Sequence, residues 1–238
     1  MESKIENMFN TVVTADTLDS AFEQWYGILS TMAILDNSRD GDVVGEVINA
    51  TTILINPTKN IMSSSIRKLS MRYAIGEMLW YMSGNNNLKE IQKYSKGWDR
   101  MSDDGVTVNS NYGYCIKYKY GFDQWEFVKN ELRNNPNSRR AVIHIKEPSN
   151  KDSKDVNCTV CLQFFIRHNR LHMTTYMRSN DLWMGFPYDV FQFTNMQVLM
   201  SMELGVGIGF YTHISGSLHL YKRNVVKLDG DNSDSSVG

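Results

Sequence analysis

Proline is scarce, with four residues in 238. No Gly/Ser-rich stretch interrupts the middle of the chain, so nothing marks a linker between two domains. Cysteine is equally thin. Cys115, Cys158 and Cys161 cannot all pair, which excludes a disulfide-built scaffold and leads us to expect a soluble cytoplasmic protein with reduced thiols. No apolar run approaches the roughly 20 residues of a membrane span. The polar start Met1-Glu-Ser-Lys-Ile-Glu-Asn lacks the apolar centre of a secretory signal. An excess of either charge is missing too, since 25 Lys plus Arg face 26 Asp plus Glu. That balance argues against general nucleic-acid binding, so any bound anion must be held by a few placed arginines.

What is present suffices for a large core, because 42% of the residues are hydrophobic and 11% aromatic. One domain is expected through residue 228, followed by a polar and disordered tail over 229–238 (Asp-Gly-Asp-Asn-Ser-Asp-Ser-Ser-Val-Gly here read from residue 229). Periodicity predicts helices over 18–34, 65–83 with Gly84 as cap, 123–134, and from Pro187 to about Glu203. Strands are predicted over 43–55, 139–146, 157–167, 171–178 and 207–222. Strands clustered late, with helices not strictly alternating, indicate an α+β fold.

A few residues stand out against this background. Glu77 shares a helical stripe with Leu69, Tyr73, Trp80 and Tyr81, where a carboxylate is costly unless paired or functional. It is either a Glu reaching a buried partner or a carboxyl group with raised pKa suited to proton transfer. Cys158-Thr-Val-Cys161 has no second Cys pair or His pair to complete a metal site, so no metal is expected. In a strand these two thiols would point to opposite faces. They are either two core cysteines or include one nucleophile. Arg39, Arg139, Arg140 and Arg178 are ordinary surface residues singly but together could bind phosphate and lower a thiol pKa. Asp189 falls in the first turn of the helix opened by Pro187, where the helix dipole alone would favour it. His219 and Tyr221 lie on one face of a strand and could hold a sugar hydroxyl.

The order and spacing of these anchors resemble the thymidylate synthase family, and more closely its phage deoxycytidylate hydroxymethylase branch. The resemblance runs from about Arg39 to Tyr221. It rests on Gly-Glu77-Met-Leu-Trp, Trp98-Asp99, Asn111-Tyr112-Gly113 and Asn135-Pro-Asn-Ser-Arg139-Arg140. It continues with Cys158 five residues before Gln163-Phe164, then Arg178-Ser179-x-Asp181-x-x-x-Gly185-x-Pro187-x-Asp189, and His219-x-Tyr221. It implies a single catalytic domain over 1–228 with a large, twisted, mixed sheet packed by helices and paired with a second copy through that sheet. It implies Cys158 as nucleophile, with Glu77, Tyr112 and Asp189 managing protons. Arg39, Arg178 and Ser179 would hold the nucleotide phosphate, joined by Arg139 and Arg140 from the other subunit of an obligate homodimer. His219 and Tyr221 would hold the sugar. Asp181 would serve both substrates, and Trp98 and Gly185 would contact the folate. The implied co-substrates are a pyrimidine nucleoside monophosphate and 5,10-methylenetetrahydrofolate.

Departures from the family pattern sharpen the expectation. Thymidylate synthases place Asn where this chain has Asp189, and a proton-bearing Asp matches cytosine rather than uracil. Thr159 follows Cys158 where His is usual. The polar tail contrasts with the apolar tail that closes those enzymes, which suits entry of water. The expected activity is therefore transfer of a one-carbon unit to C5 of dCMP with addition of water, giving 5-hydroxymethyl-dCMP. The alternatives are a dCMP methylase, a CMP hydroxymethylase, a thymidylate synthase, and an inactive nucleotide- or RNA-binding homologue.

Overall fold

The computed structural model describes residues 8–32, 41–148 and 152–225, and the backbone of 35–38. Arg39 and the 229–238 tail lie outside the described residues. The strands are β1 (Val12–Ala15), β2 (Leu35–Ser38), β3 (Gly41–Leu54), β4 (Val142–His144), β5 (Thr159–Arg167), β6 (Arg170–Met177), β7 (Asn180–Asp181) and β8 (Gly207–Tyr221). The helices are α1 (Leu18–Ser30), α2 (Met71–Ser83), α3 (Leu88–Gln92), α4 (Tyr112–Lys117), α5 (Gln124–Asn134) and α6 (Phe186–Leu204), with a 3-10 turn over Lys96–Met101. One mixed sheet runs in the order β1-β3-β8-β6-β5-β4, with β2 paired to β3 and β7 to β8. This is the expected α+β arrangement. Among the described residues no helix is long and apolar enough to cross a membrane.

Local chemistry explains where the elements stop. The expected helix over 65–83 begins only at Met71, because the Ser70 hydroxyl caps it by accepting from Tyr73 N–H. Gly84 ends it in the left-handed conformation, φ 66°. The helix expected over 18–34 ends at Ser30, where the Thr31 hydroxyl donates to the Gly27 and Ile28 carbonyls at 3.2 and 2.9 Å. Periodicity missed β1, β2, β7, α3 and α4, whose short runs offer too few turns or alternations to read.

Helices α1, α5 and α6 pack on the sheet, and α2 packs on α6. Cross-strand register shows the core directly: Leu54, Tyr211, Met173 and Phe164 form one row across β3, β8, β6 and β5, all at 1% exposure or less. A neighbouring row on the opposite face runs Val12, Thr51, Ile214, Tyr176 and Cys161. There Val12 is 57% and Tyr176 38% exposed, as is Phe210 at 51% further along β8. This sheet face carries apolar side chains, and among the described residues no helix covers it.

Candidate active site

The buried Glu77 has partners on every side. Tyr73 and Tyr81, one helical turn before and after it, place their hydroxyls beside Oε1, donating at 2.7 and 3.4 Å. Gln192 of α6 donates from Nε2 to Oε2 at 3.0 Å. Burial still wins over these bonds and pushes the Glu77 carboxyl up to about 7. Glu77 thus reaches buried partners and is also a carboxyl with raised pKa.

Tyr73 also links Glu77 to an aromatic wall. Trp98 donates from its indole N–H to the Tyr73 hydroxyl at 3.0 Å, and its ring meets Trp80 edge-on at 5.3 Å. Tyr73 meets Tyr188 edge-on at 4.8 Å. The Arg67 guanidinium stands 5.2 Å from the Tyr188 ring and 5.8 Å from that of Trp183.

Asp189 sits in the first turn of α6, as the sequence indicated, yet it does not cap that helix. Gly185 occupies the cap position and no side chain bonds there. Instead Asp189 Oδ2 accepts from Asn180 Nδ2 at 2.9 Å. Loss of water, and then the charge of Glu77, hold the Asp189 carboxyl well above the ordinary carboxylate range. The influence runs from Glu77 to Asp189: an ionised Glu77 favours the neutral form of Asp189, whereas Glu77 itself is raised by burial.

Cys158 immediately precedes β5 and packs against the core. The Arg178 guanidinium donates to the Val156 and Asn157 carbonyls at 2.9 and 3.2 Å, so it straps the segment that carries the thiol. Tyr112 opens α4, stacks on Tyr81 at 5.0 Å and on Phe193 at 5.8 Å, and is buried. Burial raises its phenol first, followed by the charges of Asp189 and Cys158, which places all three groups within electrostatic reach. Thr159 is fully buried. The expectation that strand alternation alone separates the two thiols fails, because a bulge between Thr159 and Cys161 resets the two-residue period. Their surroundings differ all the same: Cys161 stands on the uncovered sheet face, opposite Tyr176, and burial raises its thiol.

The remaining predicted residues divide into neighbours of this centre and outliers. Ser179 joins β6 to β7, and Asp181 pairs with His219 across β7 and β8. The Asp181 carboxylate accepts from the Trp183 and Met184 N–H groups at 2.7 and 3.2 Å, building the turn that leads to Gly185. The His219 and Tyr221 rings meet edge-on at 5.1 Å, and Arg223 lies over Tyr221 at 4.2 Å. Arg139 and Arg140 are exposed and lie elsewhere. The β4–β5 register puts Ala141 beside Phe164, hence Arg140 beside Phe165, at the other end of β5 from Cys158. At about 3.3 Å per residue that is roughly 20 Å away.

Sequence reasoning missed Asn180, Gln192, Tyr73, Tyr81 and Arg67. Gln192 had a weak signal, being a polar residue flanked by Phe191 and Phe193 in α6, and the two tyrosines had one in their four-residue spacing from Glu77. A cavity of about 410 Å³ between α2, α4, α5 and α6 is lined by Tyr81, Trp125, Lys129 and Glu203 and contains none of the predicted site residues.

A deoxyuridylate hydroxymethyltransferase of Bacillus phage SP01 is 32% identical over 181 residues, covering 70% of this chain and 47% of the phage protein. The chain thus spans about half the length of that relative. A thymidylate synthase of Bacillus atrophaeus is 29% identical over 171 residues, covering 68% of this chain and 75% of that protein. Among solved structures, thermostable thymidylate synthase A from Bacillus subtilis superposes with a TM-score of 0.73 at 23% identity, over 87% of this chain and 81% of that one. Thymidylate synthase from T4 phage gives 0.72 at 19% identity, over 84% and 76%. At such identities the likeness is one of fold. The family model described as thymidylate synthase matches residues 28–231, most of the chain, and the chain belongs to the thymidylate synthase family.

Proposed function

We propose that this protein is a dCMP hydroxymethylase, taking a one-carbon unit from 5,10-methylenetetrahydrofolate to C5 of dCMP and adding water there. The observation that carries the choice of base is Asp189, a desolvated carboxyl with raised pKa beside Glu77. Cytosine presents an acceptor at N3 and an amino donor at C4. A proton-bearing Asp189 donates to that N3, which an ionised carboxylate could not do.

The chain's own groups supply the rest. Cys158 as thiolate adds to C6 of the base and makes C5 electron-rich. Its later departure restores the ring. Glu77, poised near neutrality, moves protons on the base, and Tyr112 orders the water they pass through. Arg178 and Ser179 hold the phosphate, His219 and Tyr221 the sugar hydroxyl. Arg39 would join the phosphate site.

The residues present fit a flat, anionic co-substrate. Arg67 Nη1 is buried with no hydrogen-bond partner among the described residues, and it lies in an aromatic wall that includes Trp98. When bound, the folate supplies a one-carbon unit at the oxidation level of formaldehyde. Trp98, Asp181 and Gly185 would contact it.

A homodimer completes the site. Arg139 and Arg140 are too far from Cys158 in their own chain, and the uncovered face bearing Val12, Ile214 and Phe210 is the surface on which a second copy would seat. The phage SP01 relative favours a second reading, hydroxymethylation of dUMP, since its name specifies that nucleotide. Mass spectrometry of the products from dCMP, dUMP and CMP separates the readings. Hydroxymethylated dCMP is expected. A product from dUMP alone would overturn the assignment of the base, and a methyl product would overturn the addition of water.

A further inference from the structure

Asn180 is 3% exposed and held in the short strand β7, whose backbone pairs with Leu218 of β8. Its amide nitrogen lies 2.9 Å from Asp189 Oδ2 and 2.9 Å from the Met177 sulfur. Both neighbours are acceptors, so this end of the amide is the NH2 end. Its oxygen is buried with no partner among the described residues. The same corner is kept open by Gly185. A Cβ there would fall 3.1 Å from Asp189 Oδ2 and 3.6 Å from Asn180 Oδ1.

We propose that Asn180 is a positioning and specificity residue, which fixes Asp189 Oδ2 as an acceptor and so leaves Oδ1 to carry the proton that reads the base. A carboxyl group with a free end can place its proton on either oxygen and can match an acceptor or a donor. With Nδ2–H directed at Oδ2, a proton on that oxygen would meet another hydrogen. The acid therefore presents O–H from Oδ1. A ring nitrogen with a lone pair accepts it, whereas a ring N–H is opposed by it. The unpaired Asn180 oxygen adds an acceptor beside the donor. An aminopyrimidine edge, with N3 accepting and the 4-amino group donating, completes that pattern. The charge of Glu77 from α2 raises Asp189, and the charge of Asp189 reaches the neutral phenols of Tyr73 and Tyr81 from α2, Tyr112 from α4 and Tyr211 from β8. Among the described residues none of these groups hydrogen-bonds the Asp189 carboxyl and Asn180 does, so Asn180 selects the oxygen.

The substrate half of this proposal rests on the function proposed above, and the test separates the two. Asn180→Leu keeps the branched shape and removes the amide. It is expected to lower the dCMP-to-dUMP ratio of kcat/KM about tenfold or more, mainly through kcat on dCMP. In an Asp189→Asn background the same change is expected to move the ratio less than about twofold, because Asn180 acts through Asp189. In the substrate-free protein, carbon-13 titration of the Asp189 carboxyl is expected to move upward in Asn180→Leu, since a donor to the carboxylate is lost. An equal loss on both nucleotides, or an undiminished effect in the Asp189→Asn background, would overturn the proposal. If the wild type turns over neither nucleotide, the function fails while the carbon-13 titration still decides the role of Asn180; an unmoved titration removes it. Should Asn180→Leu not fold, Asn180→Ser carries the same measurements.

Discussion

Raising the pH through neutrality should withdraw the stability that Glu77 contributes as a neutral acid. Burial lifts its carboxyl from the ordinary 4.5 to about 7 in the folded protein. A group raised on folding stabilises fully below its unfolded pKa and loses that contribution as pH rises through the folded one. The window is therefore pH 4.5 to about 7, and at about 1.36 kcal/mol per pH unit the amount is about 3 kcal/mol. His213 opposes it. That ring is fully buried, and desolvation lowers it from 6.5 to about 3, so its contribution is complete above 6.5 and is lost as pH falls. Between pH 4.5 and 6.5 the two slopes have opposite signs and partly cancel in the wild type. Asp189, also raised, adds to the Glu77 side. Urea unfolding at fixed protein concentration across this range, for wild type and Glu77→Gln, isolates the term. The variant is expected to gain stability relative to wild type as pH rises, by about 3 kcal/mol across the window. An amide facing the Tyr73 and Gln192 donors also costs a pH-independent amount, which displaces the curve without changing its slope. Parallel curves for the two proteins would refute the raised carboxyl and with it the proton-transfer role.

Cys158→Ser is expected to abolish both product formation and tritium release from 5-³H-dCMP, while Cys161→Ser, altered only on the open sheet face, keeps most of its activity; the reverse pattern would mean the wrong nucleophile. Mixing Cys158→Ser subunits with Arg140→Ala subunits should restore activity, because one site per heterodimer regains both groups; verified heterodimers without activity would count against the shared phosphate site. Asp189→Asn should shift the preference from dCMP toward dUMP by about two orders of magnitude, from two mispaired groups at roughly 1–3 kcal/mol each; an unchanged ratio in steady-state kinetics would remove the base assignment. Gly113→Ala should lower the melting temperature sharply, since a Cβ there would lie 1.6 Å from the Tyr81 carbonyl oxygen and the backbones of α2 and α4 must part.

Residue order and type determined much of this protein. The late cluster of β-branched runs specified an α+β fold, the apolar stripe around Glu77 exposed its oddity, and the spacing from Cys158 to Gln163, matched to the family resemblance, singled out one thiol as the expected nucleophile. Each is a local pattern, written in neighbours along the chain. Tertiary structure alone decided the rest. Asn180 and Asp189 are nine positions apart on different elements, and only the turn built by Asp181 brings amide and carboxyl to 2.9 Å. Gln192 reaches Glu77 across 115 positions, a pairing that no local period encodes. The bulge in β5 overrode the alternation that parity reasoning relies on. The raised pKa values of Glu77 and Asp189 likewise come from desolvation by distant segments, because the cost of burying a charge depends on what surrounds it rather than on what flanks it in sequence.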